Sequence, residues 1–250
     1  MSLSISAIII TKNEEASIGK CLDSISWVDE IIVLDSGSTD KTVEIAKSYG
    51  AKVYTQSWKG FGFQKNKALN LATKKWILSI DADERVTDNL RDYILSLNDN
   101  DNYAYSIKRN SYYCGRYLKY GGWGSDYVVR LFKKKTAKFS DELVHESVIS
   151  KDPTKKVHQH LLHFTYHNYE EVIKKINVYS SAAALALYSR KIQSSFFKSL
   201  LHCLWSFFKT YFFKLGFLDG RFGLILAISN AQYTYYKYLK LSLLYQNKKS

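Results

Sequence analysis

Two carboxylates one residue apart, Asp81 and Asp83, follow directly on the apolar run Trp76-Ile77-Leu78-Ser79-Ile80. Carboxylates so spaced can share a divalent cation and its ligand. Hard oxygen donors suit Mg²⁺ or Mn²⁺, ions that join carboxylates to the phosphates of a nucleotide. An isolated Asp-x-Asp is as readily an exposed acidic turn. Two earlier acidic segments, Thr11-Lys12-Asn13-Glu14 and Asp35-Ser36-Gly37-Ser38-Thr39-Asp40, also follow apolar runs, and that repetition favours the chemical reading. Asp40 is placed to cap a helix, whereas Asp35 comes too early for that and can instead accept hydrogen bonds from a base or ribose. Lys65 reads either as a solvated helix residue or as a cation that neutralises a diphosphate.

Strands and helices must bring these residues together. Ser6 to Thr11 and Glu30 to Asp35 are β-branched runs without alternation, as in strands of a parallel sheet covered on both faces. Ala16, Ile18, Cys21, Leu22 and Ile25 recur at helical spacing between them. A second helix is expected from Asp40 to the stop at Gly50, a strand over 52–55, a helix over 64–73 and a fourth strand over 76–80. This alternation predicts an α/β fold with a doubly wound sheet. Ligands of such sheets bind beyond the carboxyl ends of the strands, which is where the three acidic segments fall. Residues 103–150, rich in aromatics and glycines, are expected to form an antiparallel extension on the acceptor side. There Trp123, between glycines, either stacks on a sugar ring or plugs a loop, and Asp126 and Arg130 line the same region.

Four segments in order then become specific: Ala7 to Glu15, Asp35 to Asp40, Gln64-Lys65-Asn66 and Asp81-Ala82-Asp83-Glu84. Together they resemble glycosyltransferase family 2, with its GT-A fold, over residues 1 to about 165. With Val128 to Phe132 and Leu143 to Ser147, and the basic aromatic tail, the chain is most similar to bacterial lipopolysaccharide inner-core β-glucosyltransferases. The resemblance implies an inverting transfer of glucose from UDP-glucose to a core heptose, with Mg²⁺ or Mn²⁺ as cofactor. It implies that Thr11, Glu14 and Asp35 contact the uridine, Lys65 and Asp81 the nucleotide portion, and Asp83 the metal. The base that takes the acceptor proton falls in Ser140 to Glu146: Glu146 first, then Asp141, then Glu142. His145 is either a further metal ligand or structural.

The 250 residues carry a net charge of +13, unevenly placed: from residue 169 onward, 12 Lys and Arg face three Asp and Glu, a balance of +9. Such a segment suits an anionic partner, and no nucleic-acid module accompanies it. Phe197, Leu200, Leu201, Leu204, Phe208, Tyr211, Phe212 and Leu215 follow one helical face, with Lys198, His202 and Lys209 opposite; Trp205 flanks that face and Phe213 breaks the pattern. Without about 20 consecutive apolar residues, the tail is expected to lie on an anionic membrane rather than cross it, unless the face packs into a core. Two regions are therefore expected, a catalytic domain over 1–165 and a helical, aromatic, basic extension over 166–250. Cys21, Cys114 and Cys203 have neither metal nor disulfide spacing, and no signal peptide is evident. The expected setting is cytoplasmic, peripheral on the inner face of the bacterial inner membrane, with a glycolipid acceptor. Transfer to a polyprenyl carrier, a wall polymer or a protein is the alternative, and a basic nucleic-acid-binding protein a remote one.

Overall fold

A computed structural model describes residues 3–124, 126–140 and 146–246. In chain order the elements are β1 (Ile5–Thr11), α1 (Glu15–Ser24), β2 (Glu30–Asp35), α2 (Thr42–Ser48), β3 (Lys52–Thr55), α3 (Phe61–Leu71) and β4 (Trp76–Ser79). Then come β5 (Glu84–Val86), α4 (Asp88–Leu95), β6 (Ala104–Tyr113), β7 (Arg116–Tyr117), β8 (Tyr127–Lys133), β9 (Ala137–Phe139), β10 (Val148–Ser150) and β11 (Thr154–Tyr166). Three helices follow, α5 (Tyr169–Ser189), α6 (Phe196–Phe208) and α7 (Arg221–Gln246). The chain divides into two units, Met1–Arg109 with Tyr127–His163, and Asn110–Asp126 with Phe164–Ser250.

The first unit is a mixed α/β layer structure. Its sheet has the order β3-β2-β1-β4-β8-β6-β11-β5. The first four strands are parallel, β8 joins β4 antiparallel, and β6 joins β8 antiparallel. Alternation along β1 sends Ile5, Ala7 and Ile9 to a core shared with Ile18, Cys21 and Leu22 of α1, and Ile8 to the opposite core with Ala68 and Leu69 of α3. Both faces of β1, β2 and β4 are thus buried, which is why these strands read as unbroken apolar runs, whereas the outer strand β3 is largely exposed. The helix expected from Gln64 starts earlier, at Phe61. Gly60, at φ 108°, makes a backbone break there that a side chain would resist. β9 and β10 form a separate antiparallel pair.

Glu30, at the amino end of β2, holds three segments at once. Its carboxylate accepts from Ser6 Oγ at 2.6 Å, Lys52 Nζ at 2.8 Å and Thr73 N at 2.8 Å. Burial favours the neutral acid, but these donors outweigh it and bring the pKa down to about 2. A depressed carboxylate pKa stabilises the fold above its ordinary value of 4.5, and that contribution is lost as pH falls toward about 2. Glu30→Gln should therefore cost about 1–3 kcal/mol at neutral pH. In urea unfolding followed down that pH window, the gap to wild type should close. A constant gap would remove Glu30's charge from the account.

The second unit is helical. Asn168 and Ser195 cap α5 and α6 by accepting from the backbone N–H groups of Glu171 and Lys198. Lys240 of α7 donates to the carbonyl and side-chain oxygens of Asn177 and to Ser180 and Ser181, tying α7 to α5. Tyr113, Leu118, Val172, Ile176 and Leu226 form the core. A π-helical turn, Lys209–Phe213, and a 3₁₀ turn, Gly216–Asp219, separate α6 from α7. Beyond this second turn the apolar and tyrosine-rich stretches run as one continuous helix, α7. Buried Asp219 accepts from the N–H groups of Lys119 and Tyr120. At Gly223 a Cβ would stand 1.7 Å from the Gly216 carbonyl oxygen, so the two backbones touch where no side chain fits.

Candidate active site

The carboxyl edge of the parallel strands collects the acidic segments. β1 ends at Thr11, whose register partner is Asp35 at the end of β2; β4 ends at Ser79, two residues before Asp81. The loops after β1 and β2 are laced together. Asn13 N donates to Ser38 Oγ and Glu14 N to Thr42 Oγ1, both at 2.8 Å, while Asn13 Oδ1 accepts from Thr39 N at 2.8 Å. Asp40 accepts from Thr42 N at 3.0 Å and from Glu15 N at 3.1 Å. Asp35 is buried, and its carboxylate closes its own turn by accepting from the N–H groups of Gly37 and Ser38 at 2.9 Å. Beside it, Thr11 Oγ1 and Gln64 Oε1 are buried without a hydrogen-bond partner. Unsatisfied buried oxygens of this kind are costly, and a polar ligand would relieve them.

Each residue of the Gln64-Lys65-Asn66 triplet reaches a different segment from α3. Gln64 Nε2 donates to Ser36 Oγ at 2.8 Å. Asn66 exchanges two hydrogen bonds of 2.9 Å with the backbone of Phe139, pinning β9. Lys65 Nζ lies 3.0 Å from Asp81 Oδ1 and 2.7 Å from Glu146 Oε1. One buried ammonium thus joins the end of the fourth strand to the favoured base.

Asp81 is held from the other side by Arg130 Nη2, which also reaches Glu84 Oε1 at 2.6 Å; Arg109 Nη1 approaches the same Glu84 oxygen at 3.5 Å. Glu84 Oε2 accepts from Asp81 N at 3.0 Å, and Arg85 donates to the carbonyls of Ala82, Glu84 and Ser17, which fastens the acidic turn to α1. Burial works against ionisation of Asp81, yet the Arg130 and Lys65 cations hold its carboxyl well below the usual carboxylate range. Burial likewise disfavours the Arg130 cation, and Asp81 and Glu84 more than restore it. The network of Lys65, Arg130 and Arg109 with Asp81, Glu84 and Glu146 balances three charges of each sign.

Asp83 has a different neighbour. His163 Nε2 on β11 lies 3.4 Å from Asp83 Oδ2, placed there because His163 pairs with Glu84 across the β11–β5 ladder. Among the described residues no group of three or more His, Cys, Asp or Glu side chains forms a ready cation cage. A carboxylate with an imidazole nearby still fits Mg²⁺ or Mn²⁺, which complete their shells with phosphate oxygens and water.

The structure therefore brings Lys65, Asp81 and Glu146 into direct contact and sets Thr11, Glu14, Asp35 and Asp83 on the same strand edge. Arg130, expected on the acceptor side, is spent on Asp81 and Glu84. Trp123 and Asp126 belong to the second unit, where the Trp123 ring packs edge-on against Tyr113 at 5.3 Å. Asp141, Glu142 and His145 lie outside the described residues. Glu84, Arg109 and His163 were not singled out by sequence. Glu84 closes the Asp81-Ala82-Asp83-Glu84 segment but was given no role there, and nothing local marks the other two. A polar cavity of 290 Å³ lined by Glu30, Lys52 and Thr73 opens at the amino end of β2, about 17 Å along the strand from the Asp35 edge.

Parallel strands in the order 3-2-1-4, acidic loops at their carboxyl edge and an antiparallel continuation are the arrangement of the GT-A fold. The chain belongs to glycosyl transferase family 2, whose model matches residues 6–192. It is 36% identical to an uncharacterized glycosyltransferase of Rickettsia typhi over 238 residues, covering 90% of this chain and 82% of that one. It is 29% identical to the lipopolysaccharide core biosynthesis glycosyltransferase LpsC of Rhizobium meliloti over 247 residues, 93% and 90% of the two chains. Glucosyl-3-phosphoglycerate synthase from Mycobacterium tuberculosis, solved with Mn²⁺, UDP and glucosyl-3-phosphoglycerate, is 29% identical with a TM-score of 0.36. That likeness covers 44% of each chain, less than half the length of the solved protein. Among the described residues no helix is long and apolar enough to cross a membrane.

Proposed function

We propose that the chain is an inverting, metal-dependent hexosyltransferase that moves glucose from UDP-glucose to an inner-core heptose of lipopolysaccharide. It would work on the cytoplasmic face of the inner membrane, where the acceptor lies in an anionic surface. The observation that carries this reading is the buried Lys65 ammonium held between Asp81 and Glu146, which links a cation of the kind that meets phosphate to a candidate base. The name of LpsC supports the acceptor class.

In this reading Thr11, Glu14 and Asp35 border the uridine, and the unpartnered Thr11 hydroxyl gains a partner there. Lys65 meets the diphosphate, with Asp81 orienting its ammonium. Asp83, with His163 behind it, would hold Mg²⁺ or Mn²⁺. When bound, that cation supplies charge neutralisation on the departing diphosphate. Glu146 takes the proton of the acceptor hydroxyl as that oxygen attacks the anomeric carbon from the face opposite UDP. Asp141 and Glu142 are the next candidates for this step. Trp123 and Asp126 would contribute to acceptor binding, and Arg130 indirectly, by fixing Asp81. His145 would be a further metal ligand. The catalytic domain is taken as residues 1–165 and the membrane-associating, acceptor-side region as 166–250.

The test is a panel of UDP- and GDP-sugars incubated with the purified protein and Mn²⁺ or Mg²⁺, with and without heptose-terminated core oligosaccharide. Metal-dependent UDP release from UDP-glucose, stimulated by the core acceptor, is expected. Stimulation by a polyprenyl phosphate or a peptide instead would transfer the assignment to the alternative acceptor class.

A further inference from the structure

Helix α6 has its polarity reversed. The side facing α7 is its polar one: Ser199 is fully buried, Ser206 Oγ donates to the Asn230 carbonyl at 3.1 Å, and Thr234 Oγ1 donates to Ser206 Oγ at 3.1 Å. Asn230 Nδ2 donates to Thr210 Oγ1 at 3.3 Å, and the His202 ring stacks on Tyr238 at 4.1 Å. The opposite side is aromatic and aliphatic, and it is open. Phe197 is 76% exposed, Leu201 64%, Trp205 56% and Phe213 71%.

The π-helical turn explains why Phe213 joins this surface although α-helical phase would place it among polar residues. The wider turn advances each residue through a smaller angle, and the Phe213 ring comes to 5.5 Å from Trp205. Exposed Leu215, Phe217 and Leu218 continue the apolar surface through the next turn. An apolar patch of this extent calls for an apolar partner.

The charges around the patch select that partner. Lys198 and Lys209 lie three helical turns apart along one flank of α6, and Lys214 and Arg221 are exposed beyond it. From residue 172 to the end of the chain the only acidic residue is Asp219, which is buried on the backbone of Lys119 and Tyr120. A second copy would meet this rim with the same positive charge. An anionic bilayer offers negative headgroups to the lysines and acyl chains to the rings.

We propose that α6 and the turns after it embed their aromatic side in the outer acyl region of an anionic bilayer, with Lys198 and Lys209 reaching back to the lipid phosphates. α6 has 13 residues, short of the about 20 needed to span. The inference deepens the membrane part of the proposed function and rests on that part, but not on the identity of donor or acceptor.

The whole chain is to be mixed with phosphatidylcholine vesicles, with and without phosphatidylglycerol, some carrying brominated acyl chains. Co-sedimentation with the phosphatidylglycerol vesicles is expected, with tryptophan emission quenched by bromine. Trp205→Phe should lose most of that quenching yet still bind. The Phe197→Asp/Leu201→Asp pair should weaken binding at least about tenfold while metal-dependent UDP-sugar hydrolysis in solution stays unchanged. Full release by about 0.5 M salt with no bromine quenching would overturn embedding and leave a purely electrostatic membrane contact, the proposed function standing. Absence of vesicle binding would overturn both the inference and the membrane part of that function. A dimer in solution that the double variant dissociates would assign the patch to a second copy and likewise overturn it.

Discussion

Asp83→Ala is expected to lower metal-dependent UDP release by about 10²–10³-fold while leaving thermal unfolding unchanged. Asp81 already answers to Lys65 and Arg130, so the motif's work on a cation falls to Asp83, beside His163. Asp83 sits at a partly open turn, and removing its carboxylate leaves Lys65 paired with Asp81 and Glu146, and Arg130 with Asp81 and Glu84. Initial rates against Mn²⁺ concentration would check this, with melting curves alongside. Turnover within about twofold of wild type at saturating Mn²⁺ would defeat the assignment of Asp83 as metal ligand.

Glu146→Gln should lower kcat by about 10²–10⁴-fold, the usual contribution of a general base. UDP-sugar affinity should hardly move, because the amide keeps the shape of the side chain and its oxygen can still accept from Lys65. The comparison to make is kcat for transfer against Kd for UDP-sugar measured by calorimetry. A parallel loss in both would make Glu146 a binding residue that acts through Lys65. Unchanged turnover would shift the role to Asp141.

The inner parallel strands β1, β2 and β4 were legible because they are buried on both faces: Ile8, Ile9 and Ile10 have no polar alternation to confuse the reading. Asp35 and Asp81 were legible as strand-end residues for the same reason. What Asp81 touches was not. Arg130 comes from β8, 49 positions later, and looks in the sequence like any basic residue of a strand. His163 meets Asp83 only through the β11–β5 register, which no local pattern encodes. Lys65 was open between solvated and functional readings, and its burial between two carboxylates is tertiary information. The amphipathic tail was visible by periodicity, but its orientation depends on which side α7 accepts. α7 accepts the side that carries Ser199 and Ser206, with Ser206 bonded to Asn230 and Thr234, and periodicity alone does not say so.

The contact of Gly223 with Gly216 implies a lopsided pattern of tolerance to genetic drift. On the open side of α6 any bulky apolar residue would serve as well as another, since nothing within the second unit is fitted to those side chains. Gly223 admits not even a methyl group, because the carbonyl of Gly216 occupies the space. Alanine there would push the turn carrying Phe217 and Leu218 off the start of α7. Such a surface can exchange its visible residues freely over generations while remaining hostage to one invisible hydrogen.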